Sequence, residues 1–227
     1  MSLNNKFKLT SIALASAVAM GTMAMPTTAS AEIEYNAAVS SMYLWRGTDV
    51  SDGPAISGGA DYSHDSGVYV GTWASSGVAG SNTNAPADTT PGYEIDLYAG
   101  YAGEAAGVGY DISYWKIDYP QTVGADAGYE LALGLSYADF SLGYVDCMTD
   151  SNCKYNYTTL GYTYDKYSIT YGISDDVGKD DDYTHLDLSI AVTDALSFTL
   201  SKASAEVAGG VPEELLVSVS YSLPIGK

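Results

Sequence analysis

Alternation with a period of two dominates this chain. Between positions 129 and 137, Tyr129, Leu131, Leu133, Leu135 and Tyr137 share one parity, and Glu130, Ala132, Gly134 and Ser136 the other. A helix would scatter these sets around its circumference. An extended strand sends successive side chains to opposite faces, so the pattern predicts a strand with one apolar and one polar face. The same rule predicts strands over residues 33–45, 55–63, 68–75, 93–102, 108–119, 140–145, 155–164, 167–174, 183–192, 196–203 and 214–223, twelve in all.

The connections alternate in length. Short ones are His64-Asp65-Ser66-Gly67, Ala138-Asp139, Asp165-Lys166 and Thr193-Asp194-Ala195, all of hairpin-turn composition. Longer polar stretches lie at 47–54, 76–92, 120–128, 146–154, 175–182 and 204–213, and the longest of them, 76–92, is the candidate for a loop folded inward. Short turns at one rim and long loops at the other, joining an even number of strands, are the pattern of an outer-membrane barrel.

The class follows from which face meets which solvent. With the Leu, Val, Ile and Tyr parity turned inward, water would meet mostly Gly, Ala, Ser and Thr. With that parity turned to lipid, the small polar residues line a lumen and both faces are accounted for. Closure also removes the unpaired strand edges that hydrocarbon does not tolerate. The expected fold is therefore all-β, a closed antiparallel transmembrane barrel of about twelve strands with short periplasmic turns and longer extracellular loops. Tyr35, Tyr43, Tyr93, Tyr137, Tyr144 and Tyr183 suit interfacial girdles, and Lys116 and Lys202 share the lipid-facing parity near the loop ends, where a lysine can snorkel.

Composition agrees. Charged residues make up only 16% of the chain, while 21 Tyr and 24 Gly are both high, which would make a poor soluble surface. The first residues read as an export signal, with Lys6 and Lys8, an apolar run to about Ala24, and Ala29-Ser30-Ala31 as a cleavage site. A signal peptide over 1–31 and a barrel over 32–227 are expected, with the outer membrane as destination. Without Lys6 and Lys8 the chain keeps 7 basic against 28 acidic residues, a formal charge of −21. No nucleic-acid partner is expected of such a chain.

Arg46, Asp111, Glu130, His185 and Asp187 share the lumen parity with Glu34, Asp61, Glu94, Asp96 and Glu214. An acidic lining predicts a cation-preferring or neutral-solute channel. Glu94, Asp96 and Glu130 lie toward the loop ends of neighbouring strands and predict a constriction with Arg46; the alternative has Arg46 pairing with one of these acids to fill a nearly plugged barrel. His185, Asp187 and Ser189 stand at spacing two on one strand face, about 6 to 7 Å apart, too far for a hydrolase relay, and no GxSxG elbow accompanies them. No enzyme is expected, nor a cofactor or metal. The acidic run 175–182 lacks the Gly and Glu positions of an EF-hand loop. Cys147 and Cys153, separated by five residues between two strand-like runs of an exported chain, predict a hairpin-loop disulfide.

Five segments, YLWRG at 43–47, GPAISGGADY at 53–62, GTWAS at 71–75, EIDLYAGY at 94–101 and VGYD at 108–111, resemble in order the recurring segments of the TorF-type putative porins of proteobacteria. The second half is similar as a series of alternating strands, best at 130–137 and 139–144. The resemblance implies an outer-membrane barrel with a channel role and brings no catalytic residues. The tail from Leu223 to Lys227 departs from the terminal aromatic of many such barrels, and Tyr221 stands slightly upstream of it. Two expectations stay open. One is a porin-like channel for passive diffusion of small polar or cationic solutes; the other is a filled barrel that stabilises the membrane or presents loops to partners. Outer-membrane lipid and lipopolysaccharide are the expected surroundings of either.

Overall fold

The computed structural model describes residues 32–51, 53–78, 92–120, 128–148, 155–176, 182–205 and 213–225. All regular structure among them is strand: β1 (Glu32–Ser40), β2 (Leu44–Trp45), β3 (Thr48–Asp49), β4 (Ala55–Ser63), β5 (Val68–Val78), β6 (Gly92–Ala105), β7 (Val108–Asp118), β8 (Gly128–Tyr137), β9 (Phe140–Cys147), β10 (Tyr155–Tyr164), β11 (Tyr167–Asp176), β12 (Tyr183–Ala191), β13 (Leu196–Ala205) and β14 (Leu215–Ser222). Twelve of these form a closed antiparallel barrel in which each strand pairs with its sequence neighbour and β1 pairs with both β4 and β14. β2 and β3 stand apart as a two-stranded hairpin.

The alternation works as the sequence predicts. On β8, Leu133, Leu135 and Tyr137 are exposed on the outer wall, while Glu130 and Ala132 are buried inside. Around the barrel the same belt continues through Ile56, Val70, Leu97, Ile112, Leu142, Leu160, Ile169, Leu186 and Leu200, all exposed. A continuous ring of exposed apolar side chains is untenable in water and is what lipid solvates. Lys116 pairs with Asp118 at 3.0 Å on that outer wall, and Lys202 is exposed there.

Inward glycines make room for inward tyrosines. A methyl group at Gly71 would strike the Tyr98 ring and one at Gly100 the Tyr69 ring, so each ring lies flat against the wall of a neighbouring strand. Two-residue turns such as Ala106–Gly107, with φ of 54° and 79°, close the short rim.

Two details differ from the alternation. The first strand ends at Ser40 instead of running to Trp45, because the chain turns into the lumen at Ser41, whose N–H donates to Val219 O at 2.8 Å. Consequently Tyr43 and Tyr183 are not girdle residues: they are only 6% and 9% exposed and project inward, whereas Tyr35, Tyr93, Tyr137 and Tyr144 are exposed on the outer face. The longest predicted loop, the candidate for folding inward, is shortened to 79–91 by extension of β5 and lies outside the described residues. Among the described residues, the segment that folds inward is 41–51.

Candidate functional site: a hairpin in the lumen

Residues 41–51 form a small plug. Trp45 pairs with Thr48 across the two-residue turn Arg46–Gly47, both with positive φ, 48° and 81°. That is the geometry of a type I′ hairpin, which Gly adopts freely and Arg only at a cost of about 1–3 kcal/mol. The base of the hairpin is tied by the Val50 N–H donating to Tyr43 O at 3.0 Å and by the Tyr43 N–H donating to Ser51 Oγ at 2.8 Å. Ser51 also bridges to Val78 of β5. Beneath it, Tyr43, Ala55 and Val78 make a compact apolar contact with Trp45, Val50, Trp73 and Tyr119, and this fastens the plug to the wall.

The hairpin tip carries Arg46, the chain's single arginine, only 2% exposed. Its Nη2 donates to Glu130 Oε2 at 2.8 Å, and Tyr155 donates its hydroxyl to the other oxygen of the same carboxylate. The guanidinium carbon lies 4.2, 4.6 and 5.0 Å from the ring centroids of Trp45, Tyr157 and Tyr155, and the Tyr183 hydroxyl donates to Arg46 O at 3.1 Å. Burial pulls the guanidinium pKa down, but the Glu130 carboxylate overrides it and the net direction is up. Arg46 Nε and Nη1 have no hydrogen-bond partner, a cost of about 1–3 kcal/mol each for buried donors.

Beside Arg46, the Tyr43 hydroxyl donates to Glu94 Oε1 at 2.8 Å; burial first and then this carboxylate raise the Tyr43 pKa. Asp96 is 2% exposed and its Oδ1 has no partner. Arg46, Glu94, Asp96 and Glu130 together line a cavity of about 10 Å³, room for a single water-sized group. The predicted constriction residues are thus brought together, with three buried carboxylates facing one guanidinium.

A second network grips the other side of the tip. Tyr157 Oη lies 2.7 Å from His185 Nε2, His185 Nδ1 lies 3.1 Å from Asp187 Oδ1, and Ser201 Oγ donates to that same oxygen at 2.6 Å. The expected separation of His185 from Asp187 is therefore wrong, because side chains lean along the strand and close the gap between positions two apart. The relay stops short of a hydrolase triad, since Ser189 instead bonds Thr199 at 2.8 Å. The His185 ring is held between two glycines, Gly47 of the plug and Gly172 of β11; a methyl group at either would strike it.

The remaining candidates lie elsewhere. Asp111 accepts from the Tyr69 hydroxyl at 2.8 Å, and Asp61 accepts from Tyr98 and, at 3.3 Å, from Asn36, both toward the short-turn rim. Tyr98 stacks on Trp115 at 4.1 Å between these groups and the plug. Glu34 and Glu214 are exposed, and Glu214 precedes β14. Cys147 is disulfide-bonded, while Cys153 lies outside the described residues.

Residues 24–219 match a family described as "Bacterial protein of unknown function (Gcw_chp)". The chain belongs to this family. No curated protein matches the sequence. Among solved structures, the KdgM porin is similar with a TM-score of 0.51 and 10% identity, covering 83% of this chain and 96% of that one. Outer membrane phospholipase A from Escherichia coli is similar with a TM-score of 0.47 and 11% identity, covering 83% of this chain and 90% of that one. At 10% identity the likeness to the KdgM porin concerns the fold alone, an outer-membrane-type barrel.

Residues that pattern reading overlooks hold the site together: Tyr43, Trp45, Gly47, Tyr119, Tyr155, Tyr157, Tyr183 and Ser201. One signal for the plug is present in the sequence. The four-residue rhythm Leu44-Trp45 and Thr48-Asp49 around Arg46-Gly47 is a minimal hairpin, hidden because Arg-Gly is not among the usual turn pairs.

Proposed function

We propose that this protein is an outer-membrane channel for small polar solutes, cation-preferring, whose loop end is closed at rest by the residue 41–51 hairpin. A cleaved signal peptide over 1–31 delivers it there. The observation that carries the reading is that the space left between the wall's tyrosines and carboxylates is filled by a separate hairpin whose charged tip bonds Glu130 beside Glu94 and Asp96. An occluding element joined to the barrel at its base, with two unpartnered guanidinium nitrogens at its tip, has a means of leaving. The order of YLWRG and the following segments, shared with the TorF-type putative porins, supports the same role. So does the name of the KdgM porin, within the reach of a fold likeness.

A filled structural barrel is the second reading, and the near-complete burial of Arg46 and His185 favours it. Single-channel recording in a salt gradient separates the two. A channel gives discrete steps with a cation-selective reversal potential, and Glu94→Gln with Asp96→Asn reduces that preference. Unchanged reversal potentials remove the constriction, and a folded but silent barrel supports the filled reading.

A further inference from the structure

The surroundings of Arg46 are unusual for an internal salt bridge. A buried arginine ordinarily spends its five donors on carboxylates and carbonyls. This one uses Nη2 on Glu130 and leaves Nε and Nη1 unpartnered, while three aromatic rings lie within 5.0 Å of its central carbon. The cation is held by ring faces and one carboxylate, a mode that recognises positive charge spread over an organic group and asks little of its hydrogen-bond donors. An alkylated ammonium would meet the same faces and bring few or no donors to satisfy, and a small guanidinium, untethered, would be free to turn its donors toward the carboxylates.

Most of this box belongs to the wall. Tyr155 and Tyr157 stand two apart on β10, and Glu130 lies on β8. Their positions are fixed by bonds independent of the plug: Tyr155 donates to Glu130, and Tyr157 bonds His185 Nε2 at 2.7 Å. Only Trp45 travels with Arg46. The wall portion is therefore organised before any ligand arrives, whereas the present occupant is carried on a residue in a left-handed conformation, φ 48°, at a hairpin tip.

We propose that Glu130, Tyr155 and Tyr157 form a recognition site for an organic cation, a guanidinium or alkylated ammonium solute, and that Arg46 is the chain's own competing occupant of it. As the class of solute carried, this rests on the channel reading above; as a binding site it stands apart from it. A solute entering from the loop side displaces Arg46, and the plug loses the contact that seats its tip. Neighbouring Glu94 and Asp96 line the same enclosure and offer acceptors to a cation. Strongly hydrated inorganic cations gain less from ring faces, so the site discriminates by hydration and shape as well as charge.

The test is chemical rescue in the full barrel, refolded in lipid. Arg46→Ala vacates the box and lowers the thermal midpoint. Ethylguanidinium or tetramethylammonium restores it saturably, with half-effect at a concentration about tenfold or more below that of sodium. Adding Glu130→Gln abolishes the rescue. Should Arg46→Ala fail to fold, the wild-type barrel is titrated with the same cations and followed by tryptophan fluorescence, since Trp45 borders the guanidinium. A saturable change with either organic cation, absent with sodium at matched ionic strength, supports the site, and whichever cation acts at lower concentration identifies the preferred shape. Equal responses to organic and inorganic cations, or rescue that survives Glu130→Gln, overturn it. A conducting barrel without organic-cation selectivity removes this site and leaves the channel, whereas selective rescue in a silent barrel does the reverse.

Discussion

On the side of the barrel formed by β8 to β12, the two ends of the lumen are built from different chemistry. Toward the short turns, β8 to β12 line the interior with Ser136, Ser141, Thr163, Ser168, Thr170 and Ser189, which are half-buried or exposed. Toward the loops, Arg46, Glu130 and His185, with Glu94 and Asp96 of β6, are all at most 5% exposed; Arg46 bonds Glu130, Glu94 accepts from Tyr43 of the plug, and His185 bonds Tyr157 of the wall. One sheet provides both ends through the same alternation, so the difference does not come from strand geometry. It comes from the residues that the wall strands carry there, Glu94, Asp96, Glu130, Tyr157 and His185, and from a single excursion of the chain after Ser40, which brings Arg46 and Gly47 between them.

That contrast predicts a steep gradient of mutational cost along the barrel. The largest effect is expected for Glu130→Ala, which leaves Arg46 buried without its carboxylate and lowers stability by about 3–5 kcal/mol in denaturant unfolding from lipid vesicles. Next comes Gly47→Ala, which places a methyl group against the His185 ring at a positive φ; a loss of about 1–3 kcal/mol is expected. Tyr98→Phe, between the two ends, removes one donor to Asp61 while Asn36 still serves that carboxylate, for a loss of about 1 kcal/mol. At the short-turn end Ser141→Ala and Thr170→Val are expected to fall within about 0.5 kcal/mol of wild type and to leave reversal potentials unaltered. Equal costs at both ends would dissolve the comparison.

The barrel is legible because its signal is repeated and local. Leu131, Leu133 and Leu135 against Glu130, Ala132 and Gly134 specify a strand and its faces without reference to anything distant. β10, a weaker run of Tyr and Thr, still reads correctly from Tyr155 to Tyr164. The ring of Glu94, Asp96 and Glu130 is legible for the same reason, since parity and position near the loop ends are properties of each strand alone. The plug is not. Continuing the alternation through Ser41 and Met42 keeps Tyr43 on the outer face, and nothing local marks the point at which the chain leaves the wall. What drives it inward is tertiary: the Ser41 N–H donating to Val219 O, the Ser51 to Val78 bridge, and the guanidinium seat on Glu130, each joining residues far apart in sequence. The contact of His185 with Asp187 escapes a reading by Cα spacing, because the lean of the two side chains along the strand is invisible in that spacing.

The proposal that the hairpin closes the loop end of the lumen is open to experiment. Its most direct test is single-channel conductance of a barrel in which residues 44–49 are replaced by a short Gly-Ser turn, beside the wild type in the same bilayers. A steady open level several-fold above that of the wild type is expected, with a cation preference that Glu130→Gln reduces. An equally silent or equally conducting shortened barrel would contradict it.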